Sequence, residues 1–234
     1  MGKTVSPKKL KVGTKRKSGR RYRKSITLKT YILSIVIFFS VFILIFSKSY
    51  RIPSRSMEDT LIHGDFIVLE TFTPLVQKIS TEFNLDFGLP KVGELVVFVA
   101  PEDPMKNYIK RCLAGSGQVV EIVEKIPYVD GVRAVDPILS KYIDSNILSQ
   151  NESSRDNTIA LEVPDRSIFV LGDNRDNSRD SRHWGTVPYE SIIGYPIFIY
   201  CSISPDKSIN DSKWGKVISW PSRIRWSRIF SRIP

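Results

Sequence analysis

The chain has 234 residues, enough for one sizeable domain or two small ones, and a formal net charge of +11. The charge sits in a tail: residues 1–29 hold 12 Lys/Arg and no acid, and the remainder holds 23 Lys/Arg against 24 Asp/Glu. Tyr22 is the one aromatic residue of that tail, so base stacking is unsupported and no nucleic-acid partner is expected. The two cysteines and two histidines lack metal-ligand spacing, which argues against a metal site.

In chain order, the basic tail runs into residues 30–47, which carry no charge. A helix needs about 20 apolar residues to cross a bilayer core, with a range starting near 17, so this segment predicts one transmembrane anchor. The basic flank assigns residues 1–29 to the cytoplasm and residues 48–234 to the outer side. Anionic lipid is the natural contact of the tail. A cleaved signal peptide is the competing reading. It lacks a small-x-small site, because Lys48, Ser49, Tyr50, Arg51 and Ile52 are poor neighbours for cleavage.

Beyond the anchor, short runs rich in Val, Ile, Phe and Tyr predict strands at 65–72, 94–100, 108–114, 118–124, 167–172 and 194–203. Asp130-Gly131 between apolar flanks predicts a two-residue hairpin. No long amphipathic helix is expected, and residues 76–90 read as irregular. Residues 136–158 are polar without strand period, so residues from about 125 to 165 read as an accessory lobe or insertion. The fold class predicted is mainly β: an antiparallel β-sheet catalytic body with a smaller accessory β lobe, preceded by one N-terminal transmembrane helix.

Two further features each admit two readings. From Trp214 to Ile233, Trp and Ile alternate with Lys and Arg, which suits a membrane-interface segment or a terminal element packed on the body. Pro221 forbids one uninterrupted helix there. Cys112 and Cys201 suit either a disulfide in an oxidising space or two small buried residues.

The chemistry starts at Ser54 and Ser56, one residue apart just past the anchor. A serine hydroxyl is a weak nucleophile until a base takes its proton. His63 and His183 offer a Ser-His-Asp arrangement, but the sequence has no Gly-x-Ser-x-Gly elbow. The other base is Lys110, in the strand-like run Tyr108-Ile109-Lys110-Arg111. A free lysine has a pKa of about 10.4 and is protonated at neutral pH. Burial favours the neutral amine, which can then accept a hydroxyl proton. Read alone, Lys110 is a surface lysine; the loop over 172–185 gives it company. There Asp173, Asp176 and Asp180 interleave with Arg175, Arg179 and Arg182. That composition suits a solvated ion-pair loop or a hydrogen-bonded turn network that holds Ser178 on the lysine amine.

Three separated motifs then stand in order: Pro53-Ser54-Arg55-Ser56-Met57, Tyr108-Ile109-Lys110-Arg111 and GDNRDNSRDSR over 172–182. With GDFIV at 64–68 and PEDP at 101–104, the chain resembles the bacterial type I signal peptidases, or leader peptidases, a family of serine-lysine dyad proteases. The resemblance covers roughly residues 52–201. It implies Ser56 as nucleophile, Lys110 as general base, and an oxyanion hole from the Ser54 hydroxyl and the Ser56 backbone N–H. It implies that Ser178 orients the lysine, that Tyr108 and Val170 pack over its stem, and that Asp180 and Arg182 form an ion pair beneath. Arg111 and Asp173 take structural roles near the site. Cleavage after small-x-small sequences is implied, with Ile52, Pro53, Met57 and Ile109 shaping the pocket for the residue before the cut. Ile67 and Val97 serve the residue two places earlier.

The implied partners are exported preproteins bearing signal peptides and the lipid bilayer, with no cofactor, and the oligomeric state stays open. The implied location is the inner (cytoplasmic) membrane, single-pass, with the catalytic domain on the periplasmic side. Three positions depart from the commoner pattern without removing a proposed catalytic group: Asp59 stands where proline is frequent, Leu113 to Gln118 where Gly-x-Pro-Gly-Asp is usual, and His183 where tyrosine is common. Two rivals remain: a self-cleaving serine-lysine repressor, for which residues 1–29 are too short to read DNA, and a membrane-tethered binding protein.

Overall fold

The structure is a computed structural model that describes residues 2, 28–82, 88–205 and 221–233; the basic tail and Trp214, Ile218 and Trp220 of the C-terminal stretch lie outside the described residues. The chain divides into two compact units, Met1–Phe42 and Ile43–Pro234.

Helix α1 (Leu28–Phe46) has 19 residues, none of them buried, and is long and apolar enough to cross a membrane. At 1.5 Å per residue it measures about 28 Å, close to the thickness of a hydrocarbon core. Its Ser34 hydroxyl donates to the Thr30 carbonyl at 2.8 Å, so that polar group is satisfied within the helix. These properties fit a membrane anchor.

The described body contains strands β1 (Ser47–Arg51), β2 (Asp65–Glu70), β3 (Leu95–Ala100), β4 (Asp103–Ala114), β5 (Val119–Val123), β6 (Ile126–Val129), β7 (Val132–Arg133), β8 (Leu161–Glu162), β9 (Ser167–Leu171), β10 (Val187–Pro188) and β11 (Ile192–Ser202). Seven of them form one antiparallel sheet in the order β1-β2-β11-β3-β4-β9-β10, and four form a second in the order β7-β6-β5-β8. Both sheets are antiparallel, as the short alternating runs predict.

Side-chain alternation along β3 divides the main core. Leu95 and Val97 join Ile52, Met57, Leu61, Ile67, Ile109 and Ile199 on one side, whereas Val96 and Phe98 join Cys112, Ile168, Val170 and Val187 on the other. A third cluster, around Leu113, Val120, Ile122, Phe169 and Leu171, ties the second sheet to the first. Strand β4 is exposed at its start and buried from Ile109 onward, so Lys110 enters the core by position alone.

The Asp130-Gly131 hairpin forms between β6 and β7, with φ of 52° and 75°, the positive pair that a two-residue turn of matching twist requires. Three features differ from the sequence expectation. Strand β1 pairs with β2 although Ser47–Arg51 is polar, and its pattern is that of a sheet edge. The run predicted as a strand to residue 72 ends at Glu70. Part of the segment read as irregular is helix α2 (Phe72–Glu82), eleven residues long, started by the Glu70 carboxylate accepting from the Thr73 N–H at 2.7 Å. Pro74 falls in its first turn, where its missing N–H costs little.

Of the two readings of the C-terminal stretch, residues 221–233 support packing on the body. Arg228 reaches the Asp65 carboxylate at 2.7 Å, Phe230 N–H donates to the Ile199 carbonyl, and Ile233 packs on the core. Trp226 and Phe230 nevertheless stay exposed. Cys112 and Cys201 are free thiols; Cys112 is buried, which pushes its thiol up to about 12.

Candidate active site

Ser56 begins a tight turn. The Glu58 N–H donates to the Arg55 carbonyl at 3.1 Å and the Leu61 N–H to the Met57 carbonyl at 2.7 Å, while Met57 and Leu61 anchor the turn in the core. The Asn174 N–H donates to the Ser56 carbonyl at 3.0 Å, docking the loop after β9 onto the nucleophile's backbone. Residues 54 positions apart in sequence thus meet: Lys110 Nζ donates to Ser56 Oγ at 2.6 Å, with both side chains buried. Ser54 Oγ lies 3.2 Å from Ser56 Oγ and is exposed. Among the described residues neither His63 nor His183 is hydrogen-bonded to Ser56.

The lysine's surroundings are apolar near the stem and charged at a distance. Lys110 faces Val96 in register, and the Tyr108 ring centre is 5.5 Å from Nζ. Val170 is buried in the cluster of that face, and the Trp184 ring stacks on Tyr108 at 5.4 Å. Burial lowers the Lys110 amine to about 8; the Asp180 and Asp173 carboxylates oppose that shift, and the Arg182 guanidinium reinforces it.

Two buried ion pairs brace the site. Arg111 grips Asp173 with two nitrogens, at 2.9 and 2.7 Å, and Thr60 Oγ1 donates to the same carboxylate at 2.5 Å. Asp180 binds Arg182 at 2.8 Å, accepts from the Gly172 N–H at 2.9 Å, and begins helix α3 (Ser181–Trp184). Burial would push the Asp180 carboxyl up, but the Arg182 charge and these hydrogen bonds outweigh it and hold the group below its ordinary range.

The structure brings Ser54, Ser56, Tyr108, Lys110 and Val170 together and sets Arg111, Asp173, Asp180 and Arg182 around them. Ser178 is buried and packed against Gly172, but its Oγ has no hydrogen-bond partner in this structure, so the bond to Lys110 is not formed here. A groove of about 320 Å³ opens beside Ser54 and Lys110, walled by Pro53, Met105, Tyr108 and Ile109. Of the six residues expected on the substrate side, Pro53 and Ile109 line it. Ile52, Met57, Ile67 and Val97 are fully buried, in the same cluster as Ile109. The sequence reading missed Thr60, Asn174 and Trp184. Asn174 and Trp184 lie in or beside the loop motif, and Thr60 lies four residues after Ser56.

A serine hydroxyl in hydrogen-bond contact with a buried lysine amine on an antiparallel β body is an arrangement in which an amine of lowered basicity could serve a serine hydrolase as base. The family described as signal peptidase, peptidase S26, matches residues 25–201. A relative named probable signal peptidase I-1, from Synechocystis sp., is 36% identical, covering 72% of this chain and 74% of its own. A signal peptidase I from Aquifex aeolicus is 30% identical, covering 77% and 84%. A crystal structure of a signal peptidase I from Enterococcus faecalis is 27% identical with a TM-score of 0.37, covering 46% of this chain and 96% of that one. The chain belongs to the signal peptidase, peptidase S26, family, and it is a serine endopeptidase of that type.

Proposed function

We propose that the protein removes N-terminal signal peptides from exported preproteins by cutting after small-x-small sequences, with Ser56 as nucleophile and Lys110 as general base. The observation that carries this reading is the 2.6 Å contact between Lys110 Nζ and Ser56 Oγ, both buried. The neutral amine takes the Ser56 proton as Oγ attacks the scissile carbonyl carbon. The C=O π electrons move to oxygen, where the Ser54 hydroxyl and the Ser56 N–H stabilise the charge. Collapse of that intermediate breaks the C–N bond, and the Lys110 ammonium protonates the departing amine of the mature protein. A water, deprotonated by the same amine, then adds to the acyl carbon. The ester C–Oγ bond breaks, Oγ takes the proton back from the Lys110 ammonium, and the signal peptide leaves with a free carboxyl end.

Under this proposal the groove walled by Pro53 and Ile109 takes the small side chains of an extended substrate. In this reading the basic tail is cytoplasmic, α1 spans the inner membrane, and residues 48–234 work on its outer face. Enzyme and substrate are then confined to one thin layer, which raises their effective concentration. Purified full chain in detergent, incubated with a preprotein carrying Ala-x-Ala, tests this. Ser56→Ala and Lys110→Ala should abolish cleavage; unimpaired cleavage by either removes that residue from the mechanism.

A further inference from the structure

Lys141 lies in the polar insertion, 85 positions after Ser56, yet it holds both loops that build the site. Its backbone N–H donates to the Asp173 carbonyl at 2.8 Å, and its carbonyl accepts from the Arg175 N–H at 2.9 Å, a parallel bridge opposite Asn174. Its side chain reaches the other way. Nζ is 3.0 Å from an Asp59 carboxylate oxygen and 3.4 Å from one of Glu58, in the turn just past Ser56.

That turn needs a holder. Asp59 has φ of 79°, in the left-handed region that L side chains rarely adopt and that aspartate tolerates better than most. A proline there could not take that φ, because its ring fixes φ near −65°. Beside Lys141, Asn174 Nδ2 donates to the Arg55 carbonyl at 3.2 Å and to Glu58 at 3.3 Å. Asn174 and Lys141 thus converge on the same Glu58 carboxylate oxygen, Asn174 adding the Arg55 carbonyl and Lys141 adding Asp59, so the turn after Ser56 is pinned by both strands of one bridged segment.

We infer that Lys141 is a positioning residue, which clamps the insertion and the 172–175 loop onto the nucleophile turn and so sets where Ser56 Oγ stands relative to Lys110 Nζ. Its contacts are with Asp173, Arg175, Glu58 and Asp59, not with Ser56 Oγ or Lys110 Nζ. The ion pairs are partly exposed and add little to stability, so their effect is on geometry. The inference rests on Ser56 and Lys110 being the reacting pair.

The test uses the full chain in detergent and a peptide carrying Ala-x-Ala, with kcat, KM and Tm measured for wild type, Lys141→Met, Lys141→Arg and the double variant Glu58→Gln/Asp59→Asn, beside Lys110→Ala. A small displacement of reacting groups costs up to about a hundredfold in rate, so Lys141→Met should lose roughly ten- to a hundredfold in kcat with KM within about twofold. Its Tm should stay near wild type, Lys141→Arg should recover most of kcat, and the double variant should repeat the loss from the other side of the clamp. Wild-type kcat in both Lys141→Met and the double variant, with Lys110→Ala inactive, overturns the clamp and leaves the dyad standing. Full activity of Lys110→Ala overturns the dyad and the positioning role with it. Parallel loss of kcat and Tm in Lys141→Met, with kcat intact in the double variant, also overturns it, since the residue is then only structural.

Discussion

Gly172 is packed directly against Ser178: a β-carbon at position 172 would fall inside contact distance of the Ser178 hydroxyl and 2.7 Å from the Ser56 carbonyl oxygen. One obstacle is a short buried side chain and the other is backbone, so neither can swing aside cheaply. Gly172→Ala must therefore displace the loop or the turn that carries the nucleophile. The expected result is a loss of up to about a hundredfold in kcat/KM. Overpacking should destabilise the fold by roughly 1–3 kcal/mol. Steady-state kinetics and a thermal melt check both; a wild-type rate would show that Ser56 tolerates the shift.

With Lys110 as the proposed general base, its amine, lowered to about 8, should set the acid limb of the pH profile. With that value about a tenth of the enzyme carries neutral lysine at pH 7. The rate constant kcat/KM should rise about tenfold per pH unit below the midpoint and level off above it. A pH series with a peptide that does not itself titrate reads this directly. An acid limb centred near 6.5 would point to a histidine.

The same group governs stability. Between about 8 and its unfolded value of 10.5, the unfolded chain binds a proton that the native chain lacks, so unfolding free energy rises with pH across that window. Below it the penalty for burying the ammonium is fully present, on the order of 3 kcal/mol. Lys110→Met removes the penalty together with one hydrogen bond to Ser56. The variant should be inactive yet more stable than wild type at pH 7, by roughly 1–3 kcal/mol. That advantage should shrink as pH rises from about 8 to 10.5. Thermal unfolding of both proteins at pH 7 and pH 10 measures it; a wild type more stable at pH 7 would contradict a buried, destabilised amine.

The strands that build the core are legible because their apolar residues alternate or run continuously, as in β2 and β3. Strand β1 is not, because a polar edge strand owes its form to the partner it pairs with. Helix α2 is masked by Pro74 and the β-branched Thr73, Val76 and Ile79, and its start depends on the Glu70 cap. At the site, motifs make Ser56, Lys110 and the loop at 172–182 stand out, but spacing alone does not say that the hydroxyl and the amine meet; the family resemblance supplied that. Apolar strand positions such as Ile67 and Val97 look alike in sequence whether they face substrate or core, and in the fold both are fully buried. Lys141 carries no signal at all: a lysine in a polar stretch gains its meaning only when the chain returns past Glu58 and Asp59.

Asp180 acts on the lysine amine in one direction and on the fold in another, so one substitution separates the two effects. Its carboxylate favours the Lys110 ammonium, and it also neutralises Arg182, whose charge disfavours that ammonium. Asp180→Asn removes the first influence while that of Arg182 remains. The amine is pushed further down, so the acid limb of kcat/KM should move below about 8. At the same time Arg182 is left as a buried, uncompensated charge, and breaking such a pair costs about 3–5 kcal/mol. The variant should thus be less stable and yet closer to its full rate at mildly acidic pH, relative to its own plateau. A pH–rate profile taken at a temperature where the variant is fully folded decides it: an unmoved midpoint would mean that Asp180 braces the loop without acting on the amine.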